Sequence, residues 1–117
     1  MKIKGANIQD LVEVLSDRSK CRVKVAALLH DSAGVFSWGW NFGNGIVGVH
    51  AEEHAFKRAN KRRLNGSKII VYGRWACHGK EVEAIPCEKC MKLCVKFGVS
   101  AYTYKTKGGT WRTVKLN

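Results

Sequence analysis

Two short segments of the sequence combine residue types that can bind a metal ion and move protons. The first is the His-Ala-Glu run at 50–52, and the second is the Pro-Cys-Glu-Lys-Cys run at 86–90. Three ligands drawn from His and Cys suit Zn²⁺ and leave its fourth tetrahedral position open to water. We therefore predict a zinc site formed by His50, Cys87 and Cys90.

Each segment lies where a helix is predicted to begin, and this position favours metal chemistry. A helix N-terminus carries partial positive charge, which stabilises the thiolate form that zinc requires. Bound zinc lowers the pKa of water toward neutrality. Glu52 follows His50 by two residues, so it could take a proton from that water and pass it to a substrate ring nitrogen. The chemistry indicated is hydrolytic deamination of a nucleobase.

At these residues the sequence resembles the cytidine deaminase superfamily, whose zinc deaminases carry a His-x-Glu and a Pro-Cys-x-x-Cys signature. The resemblance implies a zinc cofactor and a proton-shuttling role for Glu52. The Gly-Trp-Asn run at 39–41 is similar to a Gly-aromatic-Asn segment of deoxycytidylate and tRNA adenosine deaminases, which implies that Asn41 contacts the sugar. Ala51 also fits the family pattern, and the resemblance implies that its backbone amide contacts the base oxygen.

The chain mixes features of different branches of this superfamily. Its predicted final hairpin resembles the free-nucleoside cytidine deaminases and the bacterial toxin deaminases. The free-cytidine enzymes, however, usually have Cys where this chain has His50. The resemblance therefore implies the chemistry and leaves the substrate open.

Our leading expectation is an enzyme that converts cytosine to uracil in a free nucleoside or nucleotide, such as cytidine or dCMP, with release of ammonia. The first alternative is deamination of cytosine in single-stranded DNA or RNA. A formal net charge of +12, from 21 Lys and Arg against 9 Asp and Glu, favours this alternative because nucleic acid is anionic. An adenine-type substrate stays open, since the same zinc site serves both bases.

A further alternative is a nucleic-acid-binding module with structural zinc. Cys77 and His78, together with Cys87 and Cys90, could complete a closed four-ligand site. That arrangement leaves Glu52 without a role. The His50 and His54 pair has zinc-protease spacing, but that motif needs Glu directly after the first His, so we reject it and expect His54 to pack.

Hydrophobic periodicity and turn residues predict the elements that position the site. The predicted helices cover Asn7 to Arg18, Val49 to Leu64, and Pro86 or Cys87 to Phe97, with the proline in the first helical position. The predicted strands cover 21–29, 35–40, 68–73, 99–104 and 110–116, with a turn at 30–34, a loop at 41–48 and an irregular stretch at 74–85.

This order predicts a three-layer α/β/α domain with a mixed five-stranded sheet, as the resemblance to cytidine deaminases also implies. Only about five residues join the last two strands, whereas a parallel crossover needs a dozen or more. We therefore expect the sheet to end in an antiparallel hairpin.

The length of 117 residues suits one domain covering 1–117, and a hydrophobic content of 45% argues against disorder. The first residues lack the apolar stretch of a signal peptide. The longest apolar run, Val25 to Leu29, is too short for a bilayer. We therefore expect a cytoplasmic protein without a membrane partner, and the family resemblance implies a homo-oligomer.

Overall fold

The computed structural model describes residues 7–43 and 48–116, and over these ranges the chain alternates helices with strands. The helices are α1 (Ile8–Leu15), α2 (Ala51–Arg58), α3 (Lys61–Leu64) and α4 (Glu88–Lys96). The strands are β1 (Val23–Asp31), β2 (Gly34–Trp40), β3 (Phe42–Gly43), β4 (Gly48–Val49), β5 (Lys68–Trp75), β6 (Glu81–Val82), β7 (Ala101–Lys105) and β8 (Trp111–Lys115). None of the described helices is long and apolar enough to cross a bilayer.

The five longer strands form one mixed sheet in the order β2-β1-β5-β7-β8. Strands β5 and β7 pair in parallel, and the other described pairs in this sheet are antiparallel. The final hairpin β7–β8 turns at Thr106, whose amide donates to the Thr110 carbonyl at 2.7 Å. The mixed sheet and its antiparallel ending are confirmed. The two-residue strand β6 adds to the sheet beside β5.

Helices cover both faces of the sheet, as the strand alternation requires. On β1, Ala26 and Leu28 face the cluster that contains Val12 of α1. Ala27 and Leu29 face the opposite cluster, which includes residues of α2 and α4. This gives the predicted three layers and places α2 and α4 together on one face of the sheet.

The first helix begins as predicted. The Asn7 side chain accepts a hydrogen bond from the Asp10 amide at 2.9 Å, which satisfies one free donor of the first turn. The α-helix ends at Leu15, and a 3-10 turn, Ser16–Arg18, completes the predicted range.

The prediction of one helix from Val49 to Leu64 was wrong. Helix α2 ends at Arg58, and Ala59 is extended, with φ −75° and ψ 147°. Asn60 then caps a new helix, because its side chain accepts from the Arg62 amide at 3.0 Å. Asn competes for backbone hydrogen bonds in this way, which favours caps over helix interiors. The break confines the helix beside the site to its first two turns.

Several element boundaries also differ from the predictions. Strand β1 begins and ends two residues later than expected, so His30 and Asp31 are paired with β2 and do not form a turn. The stretch at 74–85 contains the end of β5 and the short strand β6. Part of the predicted loop at 41–48 pairs as β3–β4, and residues 44–47 lie outside the described residues. Pro86 precedes the cap of α4, so it is not the first helical residue.

Candidate active site

The beginnings of helices α2 and α4 bring the predicted metal ligands together. His50 is the N-cap of α2 and Cys87 is the N-cap of α4. The Nδ1 atom of His50 lies 3.3 Å from Cys90 Sγ and 3.5 Å from Cys87 Sγ. All three ligand atoms lie within 4.8 Å of one another. Ligand atoms on a tetrahedral zinc are separated by roughly 3.6 Å, so this group fits Zn²⁺.

The local structure of α4 explains why a Cys-x-x-Cys spacing is needed. Cys87 stands just before the first turn, and the Cys90 amide donates to its sulfur at 3.4 Å. The sulfur of Cys87 thus lies at the helix N-terminus, within reach of a backbone donor. Cys90 lies on the buried side of the same turn. Burial, followed by the charge of Glu52, raises the pKa of the Cys90 thiol. Zinc must therefore displace a proton when it binds here.

An ion pair joins the two helix starts that carry the ligands. Lys89 Nζ lies 3.0 Å from Glu53 Oε2, and Glu53 Oε1 accepts from the His50 amide at 3.2 Å. Burial opposes ionisation of Glu53, but the hydrogen bonds from Lys89 and His50 outweigh it and lower the pKa of this carboxyl. Glu53 therefore holds His50 from one side and α4 from the other.

Glu52 lies on the opposite, inner side of the first turn of α2. Only 6% of its surface is exposed. Its Oε2 atom accepts a hydrogen bond from the Tyr102 hydroxyl at 2.9 Å. Tyr102 belongs to β7 and was not predicted as a site residue, because a tyrosine in an alternating strand indicates only core packing.

A cavity of about 310 Å³ opens beside these groups. Its size is at the lower end of the range for small-molecule sites. The polar lining consists of Asn41, His50, Glu52, Glu83 and Cys87. The apolar lining consists of Val23, Val25, Ala51, Val71, Val82, Ala84 and Ile85. Apolar walls with a few polar groups suit a flat heterocycle with a polar edge.

The helix α2, which carries the cavity residue Ala51, approaches the sheet closely. A Cβ atom on Gly39 of β2 would lie only 2.5 Å from the Ala55 nitrogen and 2.7 Å from the Ala51 carbonyl oxygen. Glycine at position 39 is therefore required for this approach. Ala51 itself is 1% exposed.

Asn41 also lines the cavity, and its side chain is anchored at the beginning of β1. Its Oδ1 atom accepts from the Ser19 hydroxyl at 2.7 Å and from the Val25 amide at 2.8 Å. Its Nδ2 atom donates to the Val23 carbonyl at 2.8 Å. One Nδ2 hydrogen remains for another acceptor. The sequence pattern did not indicate this anchoring role.

The residues of the alternative metal sites are placed elsewhere. Cys77 and His78 form the turn between β5 and β6 and do not belong to the ligand group. His54 packs edge-on against the rings of Trp40 and Phe42. Burial lowers the pKa of His54, as expected for a packing residue.

Comparison with known families agrees with this geometry. The family model of the zinc-binding region of cytidine and deoxycytidylate deaminases matches residues 6–106. The matched range contains both ligand segments and Asn41. No curated protein matches the sequence.

Three solved structures share the fold. Cytidine deaminase from Burkholderia pseudomallei has a TM-score of 0.70 and 22% identity, over 94% of this chain and 93% of that chain. The dCMP deaminase of cyanophage S-TIM5, solved with dCMP and dUMP, has a TM-score of 0.62 and 21% identity, over 82% and 76%. Cytidine deaminase from Mycobacterium leprae has a TM-score of 0.58 and 18% identity, over 92% and 94%. At these identities the likeness concerns the fold.

Proposed function

Because the chain belongs to the cytidine and deoxycytidylate deaminase family, we propose that it converts cytosine to uracil in a free nucleoside or nucleotide, such as cytidine or dCMP, with release of ammonia. The observation that carries this proposal is the position of Glu52. It is a buried carboxylate that lines the same cavity as His50 and Cys87. A structural zinc site has no use for such a group.

The proposed reaction adds water to the base and removes ammonia. A zinc ion held by His50, Cys87 and Cys90 would supply the Lewis acidity that makes water a nucleophile near neutral pH. The water oxygen bonds to the ring carbon that carries the amino group, and the bond from that carbon to the amino nitrogen then breaks. Glu52 takes one proton from the water and passes it to the ring nitrogen. It then takes the second proton from the hydroxyl group now on that carbon and gives it to the amino nitrogen, which leaves as ammonia.

Two further residues are proposed to orient the substrate. The backbone amide of Ala51 belongs to the first turn of α2, where amide hydrogens are free of helical partners, and it would donate to the base oxygen. The remaining Nδ2 hydrogen of Asn41 would donate to the sugar. Both residues line the cavity.

The size of the cavity supports a substrate as large as a nucleoside. The charges of its lining bear on whether that substrate carries a phosphate group. Its described lining carries Glu52 and Glu83 and contains no Lys or Arg. A phosphate group gains most from cationic partners. The cyanophage enzyme was solved with the nucleotides dCMP and dUMP. The cavity lining of the present chain instead supports a nucleoside without phosphate as the better substrate.

Ammonia release tests the proposal. Zinc-loaded protein is assayed with cytidine, deoxycytidine and dCMP, beside Glu52→Ala and the control Glu88→Ala. Glu88 also lies in the first turn of a ligand-bearing helix, but its side chain is 85% exposed and pairs with Lys92. We expect turnover that is lost in Glu52→Ala, with bound zinc unchanged in both variants. Turnover that persists in Glu52→Ala would refute the assigned role.

A second candidate is deamination of single-stranded nucleic acid, favoured by an aromatic and basic surface on β2. Trp38 is 40% exposed, and the Arg58 guanidinium lies 4.9 Å from its ring. Arg18 lies 5.4 Å from the ring of Trp40, which precedes the cavity residue Asn41. Exposed aromatic rings with arginines can stack bases. Adding DNA and RNA oligonucleotides to the panel, with Trp38→Ala, tests this candidate.

The remaining sequence predictions stay proposals. A binding module with structural zinc would hold oligonucleotides with steep salt dependence and show no turnover. Turnover abolished by Glu52→Ala would exclude it.

A homo-oligomer, implied by the family resemblance, is tested by light scattering. A cytoplasmic location is tested by fractionation of the source cells.

A further inference from the structure

One buried hydroxyl contacts two residues that line the cavity. Tyr102 is 0% exposed, and its hydroxyl oxygen lies 2.9 Å from Glu52 Oε2 and 2.9 Å from the Ala84 carbonyl oxygen. Glu52 belongs to α2, and Ala84 belongs to the segment that leads to Cys87. Both residues line the cavity. The phenol therefore contacts two cavity residues that come from different segments of the chain.

The chemistry of a phenol limits what this contact can do. Its single hydrogen goes to one acceptor at a time, and hydrogen bonds to a carboxylate are stronger than those to a neutral carbonyl. Burial, and then the charge of Glu52, raises the pKa of Tyr102. The hydroxyl thus keeps its hydrogen, and Glu52 is its stronger acceptor.

The position on β7 makes the phenol a rigid support. Tyr102 pairs with Ile69 of β5 on one side and with Val114 of β8 on the other. Its ring packs in the core cluster that also contains Ala51. A group held by a central strand keeps its place while substrate enters, and small displacements of catalytic groups are costly in rate.

We propose that Tyr102 is the positioning residue for Glu52: its hydroxyl fixes Oε2 and leaves Oε1 as the oxygen that exchanges protons in the cavity. The inference rests on the proposed function of Glu52. It assigns to the chain a residue outside both signature segments.

The test compares Tyr102→Phe with Tyr104→Phe. Tyr104 lies on the same strand and in the same core cluster, with ring centroids 6.2 Å apart. We expect Tyr102→Phe to lower kcat and kcat/KM by the same factor, roughly 10- to 100-fold. KM and bound zinc should stay unchanged. The control should keep full activity. A loss of thermal stability without any change in kcat would overturn the proposal.

A thermal-stability cycle tests the link without using turnover. Wild type, Tyr102→Phe, Glu52→Ala and the double variant are melted with zinc bound. Coupled residues give non-additive effects, so the double variant should lose less in Tm than the two single losses together. Additive losses would overturn the proposal. If the cycle shows coupling but the wild type is inactive on every substrate, the proposed function fails and the contact stands.

Discussion

Lys89 Nζ lies 3.0 Å from Glu53 Oε2, across the gap between the two helices that carry the metal-binding residues. Glu53 in turn accepts from the His50 amide. The pair therefore links His50 to the helix of the other two ligands, although His50 lies 37 positions before Cys87 and 40 before Cys90.

Lys89→Gln should weaken zinc binding because this link between the helix starts is lost. Groups behind metal ligands contribute up to 10- to 100-fold in affinity, but Lys89 is exposed, so we expect about tenfold or less. Competition with a chelator measures the change. Lys92→Gln is the control, since Lys92 pairs with Glu88 within α4. Equal affinities of the two variants would contradict this role.

Gly39→Ala should displace α2 from the sheet, because the added methyl group meets backbone atoms of that helix at 2.5 to 2.7 Å. Overpacking of this kind costs about 1–3 kcal/mol. We expect a lower free energy of unfolding together with weaker zinc binding, since α2 carries His50. Gly108→Ala is the control, because its methyl group would meet only the Thr106 hydroxyl, at 3.8 Å.

Asn41→Ala should lower both stability and activity. It leaves the Val25 amide and the Val23 carbonyl without their side-chain partner, which costs about 1–3 kcal/mol. Asn60→Ala removes a helix cap and should cost about 1 kcal/mol without affecting turnover. Denaturant unfolding and kcat/KM separate the two cases. An active Asn41→Ala variant would restrict Asn41 to a structural role.

Glu83→Gln should shift the substrate preference toward nucleotides. Glu83 lines the cavity, and its charge repels a phosphate by about 1 kcal/mol at close range in water. We therefore expect the ratio of kcat/KM for dCMP to that for deoxycytidine to rise several-fold. Glu88→Gln, outside the cavity, should leave the ratio unchanged. An unchanged ratio in Glu83→Gln would place the phosphate away from this carboxylate.

Local signals predicted the elements whose limits depend on nearby residues. Asn7 caps α1 and Gly98 follows the end of α4 with φ +74°. The hairpin β7–β8 follows from its short connection. The prediction of one helix at 49–64 was wrong because intrinsic helix propensity is only a weak guide to where a helix ends. The side chain of Asn60 offered the backbone a cap instead.

The sequence by itself predicted a zinc deaminase site, because His50, Glu52, Cys87 and Cys90 have residue types and spacings that match the signature of that family. Contacts between distant segments were decided only by the tertiary structure. Tyr102 contacts Glu52 across 50 positions of sequence. The sequence alone does not distinguish a tyrosine whose hydroxyl makes such a contact from one that only packs in the core. Which side chains meet depends on how β7 is placed beside β5, and this placement is set by burial of the whole sheet rather than by any local pattern.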